Sequence, residues 1–194
     1  MKKFIVLGFV LISFIAKAQE TKEVSVEKNL YGAQLGLVSA SFYYETQLER
    51  KIVLRTEVGL GLMGTTVESK DPTIKDKTEY FLLPYLSLEP RWYFGLDRRN
   101  RLKRNTYNNS SDFISLNSSY ISGKTPFDNN NLSPVSAVTI IPKYGMRRVF
   151  AKRFNYEFFA GVGYQYNIFS NEKGCSCDHN VVAIDFQVRI GYDF

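Results

Sequence analysis

The stretch VVAIDFQVRIGYDF, residues 181–194, alternates between apolar and polar or small side chains along almost its whole length. Because successive side chains of a β-strand point to opposite faces, this pattern predicts a strand with one wholly apolar face and one polar face. Strands in soluble proteins are typically about 5–6 residues long, whereas a tilted strand that crosses a bilayer needs roughly 9–11. The length, the alternation and the terminal aromatic residue Phe194 together predict a transmembrane β-barrel.

The N-terminal residues have the layout of a secretory signal peptide. Two lysines precede a mostly apolar stretch over residues 4–16, and Ala16-Lys17-Ala18 has the small-x-small form of a cleavage site. The apolar stretch is shorter than the roughly 20 residues of a spanning helix, and a buried N-terminal helix is the alternative. The predicted organisation is a signal peptide over 1–18, an N-terminal periplasmic segment over 19–30 and the barrel over 31–194.

Composition limits the remaining function classes. Removing 18 of the 194 residues leaves a chain that is long enough for one domain, and it lowers the net charge from +6 to +3 because three lysines leave with the signal. We therefore expect no nucleic-acid partner. Aromatic residues make up 15% of the sequence although the mean hydropathy is −0.21, as expected when half of each strand faces lipid and half is polar.

The two-face pattern recurs seven more times, which predicts an all-β, eight-stranded, antiparallel, up-and-down barrel. The further predicted strands are 31–38, 41–48, 52–63, 80–94, 113–122, 137–148 and 156–169. One long link, 95–112, falls on the side of the short turns, and we expect a structured inner turn there. Proline lacks a backbone donor and a closed barrel has no free edge, so Pro84, Pro90 and Pro142 predict bulges or local bends.

Alternation alone does not decide whether the apolar face points to lipid or, as in a lipocalin-like barrel, to the interior. An eight-stranded barrel has room only for packed side chains or one small ligand. That space is too small for the aromatic residues of the apolar face, among them Phe42, Trp92 and Phe186. The polar face is rich in glycine, which suits a crowded interior, so we place lipid outside.

The polar face then carries an interior charge network with as many basic as acidic residues. Its members are Arg55, Arg91, Lys143, Arg147 and Arg189 against Glu45, Glu57, Glu89, Glu157 and Asp185. Buried charges are tolerable when they are paired and hydrogen-bonded. The predicted lumen is therefore salt-bridged and closed; a proton or ion path along these groups is the alternative.

One loop carries a thiol cluster, Cys175, Cys177 and His179. Thiolates and imidazole suit zinc or copper, but three ligands on one loop lack a second group with matching spacing. We assign no metal and no cofactor: the first interpretation is a disulfide or plain surface thiols, with a metal contact or a tether to another protein as alternatives. His179 is the only histidine in the sequence, and nearby serines lie in no nucleophile motif. We predict no enzyme; a lipid-modifying enzyme that uses His179 is the alternative.

The run DRRNRLKR, residues 97–104, is strongly basic. The simplest interpretation is a solvated turn that touches anionic phospholipid headgroups. A periplasmic protein partner is the alternative.

Four segments and the terminal Phe194 resemble small OmpX/OmpA-type outer-membrane barrels, and more narrowly uncharacterised barrel proteins of Bacteroidota. These segments are LRTEVG (54–59), LEPRWY (88–93), NNS (108–110) and IPKYGMRR (141–148). The resemblance implies a Gram-negative outer membrane, contact with its lipid, and recognition by the barrel-assembly machinery through the C-terminal strand, with Phe194 as the assembly signal. It implies no activity. We expect a structural or surface-interaction role through the outer loops, with an unknown surface or periplasmic protein partner; a narrow channel is the alternative.

Overall fold

The structure is a computed structural model that describes residues 24–67, 77–124, 135–168 and 179–194. Over these residues the chain forms eight antiparallel strands that close into one up-and-down barrel, in which β1 also pairs with β8. The predicted fold class is confirmed. The strands are β1 (Asn29–Gly36), β2 (Ser39–Glu49), β3 (Ile52–Val67), β4 (Lys77–Trp92), β5 (Asp112–Ile121), β6 (Ser136–Phe150), β7 (Phe154–Ile168) and β8 (Asn180–Asp193).

Most strands are longer than the sequence pattern predicts. β3 and β4 each run for 16 residues, whereas β1 has the predicted eight residues but begins at Asn29 rather than at residue 31. The first link is as tight as expected, since only two residues separate β1 from β2. Six of the eight strands exceed ten residues, which is the length that a tilted strand needs to cross the apolar part of a bilayer.

The barrel carries its apolar side chains outside and its polar side chains inside. On β8, Ile184 is 77% exposed, whereas Arg189 and Asp193 are buried. On β7, Tyr164 is 72% exposed and Glu157 is fully buried. This arrangement excludes the lipocalin-like alternative, because a soluble barrel of that type places its apolar face inside.

The expectation of bulges at the three strand prolines is wrong. The pairing register stays unshifted past Pro84, Pro90 and Pro142, and the only register shift among the described pairs lies between Gln47 and Glu49. Instead, the described pairing of β4 with β5 omits positions 89 and 90, and that of β6 with β7 omits positions 141 and 142. A gap in one ladder therefore accommodates the missing donors of Pro90 and Pro142 without an inserted residue, whereas Pro84 lies just beyond the last described β4–β5 pair.

Residues 93–111, here called the inner linker, form the predicted structured turn between β4 and β5. They contain a short helix, α1 (Leu96–Arg101), and a 3-10 turn over Tyr107–Asn109. Asn108 and Asn109 have left-handed backbone angles, φ 46° and 60°, which asparagine tolerates better than most residues. Both side chains are buried, so the inner linker folds back and closes the end of the barrel from which it emerges.

A small apolar core lies beneath this closed end. Leu96 of the inner linker packs with Val26, which precedes β1, and with barrel residues that point inward. The other members of the core are Val53, Tyr93, Phe113 and Phe159. The N-terminal segment is also held by two backbone donors, from Val26 to the Arg50 carbonyl (2.9 Å) and from Glu27 to Asn109 Oδ1 (2.8 Å).

The predicted signal peptide, residues 1–18, lies outside the described residues and stays a prediction. Within the described ranges no helix has both the length and the apolar character needed to cross a membrane.

Candidate functional site

The centre of the barrel holds three arginines around one carboxylate oxygen. Oε1 of Glu157 lies 2.7 Å from Nη1 of Arg147, 3.1 Å from Nη1 of Arg91 and 3.3 Å from Nη1 of Arg55. All four side chains are essentially inaccessible to solvent. Three guanidinium groups so close together repel one another. The shared carboxylate makes their burial tolerable together with a further acidic partner of each arginine: Glu45 for Arg55, Glu89 for Arg91 and Asp193 for Arg147.

Strand register explains how these residues meet. Glu157 on β7 faces Arg147 on β6 and Arg189 on β8, and Arg55 on β3 faces Glu45 on β2. Directly opposed residues in an antiparallel pair have Cβ atoms about 4.5–5.5 Å apart, close enough for long charged side chains to pair. The alternation and the register therefore place opposite charges side by side around the lumen.

Glu45 ties the charge network to the inner linker. Its Oε2 accepts a hydrogen bond from Nδ2 of Asn109 at 2.8 Å, and both its oxygens accept from the Tyr93 hydroxyl at 3.2 Å. Burial and the neighbouring Glu45 carboxylate raise the pKa of the Tyr93 hydroxyl well above its usual range, so this hydroxyl remains a donor. The closed end of the barrel is thus held to the network by hydrogen bonds to a charged group, which are stronger than neutral ones.

Asp193 is a sixth acidic residue in the interior. It accepts hydrogen bonds from Nη2 of Arg147 (2.6 Å), Nδ2 of Asn155 (2.9 Å) and Nδ2 of Asn108 (2.9 Å), and from the Tyr43 hydroxyl. The equal balance of five acids and five bases expected from the sequence is therefore wrong for the described interior, which holds six acids against five bases. The amide and hydroxyl donors around Asp193 stabilise the additional negative charge.

The network continues toward the opposite end of the barrel, here called the open end because no segment among the described residues closes it. Glu57 accepts from Nη1 of Arg189 at 2.9 and 3.0 Å and from the Tyr85 hydroxyl at 2.6 Å. Lys143 reaches Oδ2 of Asp185 at 2.6 Å across the narrow β7 backbone at Gly161, which lies between them in register. Above these pairs the lumen widens into a cavity of about 220 Å³ with a mixed polar and apolar lining.

Phe159, an aromatic residue on the otherwise polar and small-residue face of β7, is buried inside and contacts the network. Lys143 Nζ lies 4.6 Å and the Arg189 guanidinium carbon 4.8 Å from its ring centre. Arg55 lies 3.9 Å from the ring centre of Tyr43 in the same way, and Arg91 lies 4.3 Å from that of Phe113. Arg147 also lies over the Tyr43 ring, 5.4 Å from its centre. Aromatic faces therefore stabilise all five interior cations as well.

All ten residues of the predicted charge network lie inside the barrel, and ion pairs join every one of them to another member. Of the predicted thiol cluster, Cys175 and Cys177 lie outside the described residues. His179 is exposed at the open end and stacks on Tyr166, with ring centres 5.8 Å apart. Phe194 lies at the closed end and stacks on Tyr31 at 6.0 Å.

Several members of the site were missed by sequence reasoning. Asp193 lies on the polar face of the pattern in residues 181–194, at the same parity as Asp185 and Arg189, and could have been counted with them. Gln34, which accepts from Nη2 of Arg55 at 2.5 Å, follows from the same parity on β1. Asn108 and Asn109 have no periodic signal, since they come from a linker and contact residues 85 and 64 positions away.

The buried polar atoms of the site are used mainly in contacts with one another. Among the described residues, the buried side-chain atoms without a hydrogen-bond partner are Nε of Arg91, Oγ of Ser111 and Oε2 of Glu157. In the same part of the chain no group of His, Cys, Asp and Glu side chains is arranged to hold a metal ion. No protein-family model, curated protein or solved structure matches this chain.

Proposed function

We propose that this protein is a non-enzymatic, non-conducting outer-membrane β-barrel of the OmpX-like type. One observation carries the proposal: the barrel is closed, its outer surface is apolar, and its charges are sealed inside. A barrel with this distribution is most stable when its outer surface is in contact with the hydrocarbon of a membrane. The barrel with its eight strands in sequence order is compatible with the OmpX-like fold.

The outer surface is too apolar for a barrel that works in water. Every described strand contributes large exposed hydrophobic residues, among them Leu35, Phe42, Val58, Leu86, Ile140 and Phe186. Monomeric soluble proteins rarely expose contiguous apolar patches of more than a few hundred Å². Because burial in hydrocarbon is favourable by roughly 25 cal/mol per Å², contact with lipid would stabilise this surface strongly.

The non-conducting part of the proposal rests on the packing of the lumen. Arg55, Arg91 and Arg147 meet Glu157 across the full width of the barrel, and these side chains have almost no accessible surface. The inner linker closes one end below them. Ions would need water beside these charged groups in order to pass. The packed side chains leave no accessible surface for that water, so we propose that the lumen does not conduct.

The surface-interaction part of the proposal concerns the open end. Three of the links at that end join β3 to β4, β5 to β6 and β7 to β8, and each spans at least nine residues between strands. Binding regions of a rigid scaffold are commonly found in such links. We further propose that β8 with Phe194 is the strand recognised by the barrel-assembly machinery, and that an unknown protein partner binds the open end.

The experiment that tests membrane insertion uses Trp92, the sole tryptophan of the sequence. Its side chain is 50% exposed on the outer face of β4. After refolding into vesicles, lipids brominated high on the acyl chain should quench its fluorescence strongly. The folded barrel should also shift position on an unheated gel, and it should fractionate with the outer membrane.

The matched control moves the tryptophan to the inner face at the same depth. Phe113 is fully buried in the lumen and is next to Ile114, which pairs with Trp92. The double variant Trp92→Phe, Phe113→Trp should fold and show little quenching. Equal quenching of both proteins, or a freely water-soluble monomer without detergent, would contradict the proposal.

A further inference from the structure

The closed end of the barrel carries far more basic than acidic residues. We call its basic residues the cationic ring: Lys28, Arg50, Lys51, Arg98, Arg99, Arg101, Lys103, Arg104, Arg148, Lys152 and Arg153. Among the described residues outside the lumen at this end, the acids are Glu27, Glu49, Asp97 and Asp112. Eleven basic residues thus face four acidic ones, although the whole mature chain is predicted to carry only +3.

The ring is assembled from four separate parts of the chain. These are the N-terminal segment, the β2–β3 turn, the inner linker and the β6–β7 turn, which the up-and-down topology brings to one end. Contacts hold them together: Lys51 pairs with Asp97, Nδ2 of Asn105 donates to the Val149 carbonyl at 3.0 Å, and the Asp193 amide donates to the Arg153 carbonyl at 2.8 Å. The positive charge therefore follows the rim of the barrel rather than one short helix.

Most of this charge is not neutralised within the protein. Asp97 is used by Lys51, and Asp112 is used by Arg148. Arg98, Arg101, Lys103, Arg104 and Lys152 are exposed and have no acidic partner among the described residues. Like charges so closely placed repel one another, and the protein itself does not compensate this repulsion. An anionic surface outside the protein would reduce it.

A band of aromatic side chains lies directly beside the ring, on the outer face. Tyr156, Phe150, Phe154, Tyr192, Phe194 and Tyr31 follow one another with ring centres 5.1–6.2 Å apart. Trp92, Phe94 and Tyr144 form a second row with spacings of 5.9 and 6.2 Å. Arg153 connects the two features, since it donates to the Tyr192 hydroxyl at 3.2 Å.

We propose that the cationic ring binds the headgroups of anionic phospholipids in the leaflet that surrounds the closed end. This inference rests on the proposed membrane location and adds to it a lipid class and a binding surface. Aromatic side chains of membrane proteins collect at the level of the headgroups. The ring lies just beyond that level, so its cations are at the height of the lipid phosphates. Because the positive charge is spread along the rim, it can contact lipid headgroups all around the barrel. A single ligand bound in one groove would need the charge concentrated at one place.

The test uses the refolded full-length barrel in nanodiscs that contain phosphatidylethanolamine and phosphatidylglycerol in equal amounts. Lipids that stay with the barrel after transfer to detergent are counted by native mass spectrometry. We expect enrichment of phosphatidylglycerol over phosphatidylethanolamine, and loss of that enrichment at high salt. Each cation near an anionic surface contributes about fivefold in binding, so the variant Arg98→Gln, Arg101→Gln, Arg104→Gln should lower the enrichment by at least about tenfold.

The matched control keeps the charge and changes the side chain. The variant Arg98→Lys, Arg101→Lys, Arg104→Lys should bind phosphatidylglycerol nearly as the native chain does, because the surface term depends on charge. A gel shift on heating verifies that each variant is folded. Equal retention of both lipids, enrichment that high salt leaves unchanged, or enrichment that the glutamine substitutions leave unchanged would each overturn the inference. Failure to enter nanodiscs at all would instead overturn the proposed membrane location.

Discussion

Arg147 and Glu157 face one another across β6 and β7, with Nη1 2.7 Å from Oε1 and both side chains fully buried. Arg147 also donates to Asp193 on β8 and, through Nε, to the Asn108 carbonyl of the inner linker at 3.0 Å. One guanidinium group thus connects the centre of the lumen, the last strand and the segment that closes the barrel.

Glu157→Gln should destabilise the barrel by about 3–5 kcal/mol, since it leaves three buried arginines without their shared carboxylate. Urea unfolding in lipid vesicles, followed by Trp92 fluorescence, measures the change. Glu49→Gln is the control, because Glu49 is exposed at the end of β2, and we expect a change below about 0.5 kcal/mol. Equal stability of the two variants would show that the central carboxylate is dispensable.

Gly161→Ala should destabilise the barrel by about 1–3 kcal/mol. A Cβ atom there would meet the Pro142 carbonyl oxygen and lie 2.9 Å from Cγ of Lys143, so the Lys143–Asp185 pair would be displaced. Gly61→Ala is the matched control, because its Cβ would meet only ring carbons of Tyr85 at 3.8 and 3.9 Å. The midpoints of urea unfolding compare the two, and a larger loss at position 61 would contradict this account.

Asn109→Ala should loosen the inner linker while the barrel stays folded. The substitution removes the donor to Glu45 and the acceptor for the Glu27 amide. We expect trypsin to cleave after the arginines and lysines of residues 98–104 several times faster, with fragments identified by mass spectrometry. Asn117→Ala, which removes a buried bond to Ser87 far from the linker, should leave that cleavage rate unchanged.

Planar-bilayer recordings of the native barrel should show no conductance steps. The prediction follows from the packed arginines and glutamates and from the inner linker, which together occlude the lumen. Arg147→Gln should also remain silent, because Arg55 and Arg91 still fill the same cross-section. Regular steps that scale with salt concentration in either protein would favour the narrow channel.

Period-two alternation was sufficient to predict the number of strands and their antiparallel order. The outward direction of the apolar face was predicted from the bulk of its aromatic residues and from the glycines of the polar face. Alternation also located the ten interior charges, because parity places a side chain inside or outside whatever its partners are. Alternation does not indicate contacts made by irregular segments, so the entry of Asn108 and Asn109 into the lumen was not predicted. The bulges expected at Pro84, Pro90 and Pro142 were wrong. A gap in one ladder is enough to absorb the missing donors of Pro90 and Pro142, and Pro84 lies at the end of the β4–β5 ladder.

The closure of the cylinder depends on a short seam. β1 and β8 pair over only five residue pairs, from Gly32 with Asp193 to Gly36 with Arg189, whereas β7 and β8 pair over thirteen. Until β8 arrives, β1 presents an unpaired edge, and such edges are prone to pair with another chain. The Tyr43 hydroxyl donates to Asp193 just inside this seam. Polar side-chain contacts therefore help the short β1–β8 ladder to keep the cylinder closed.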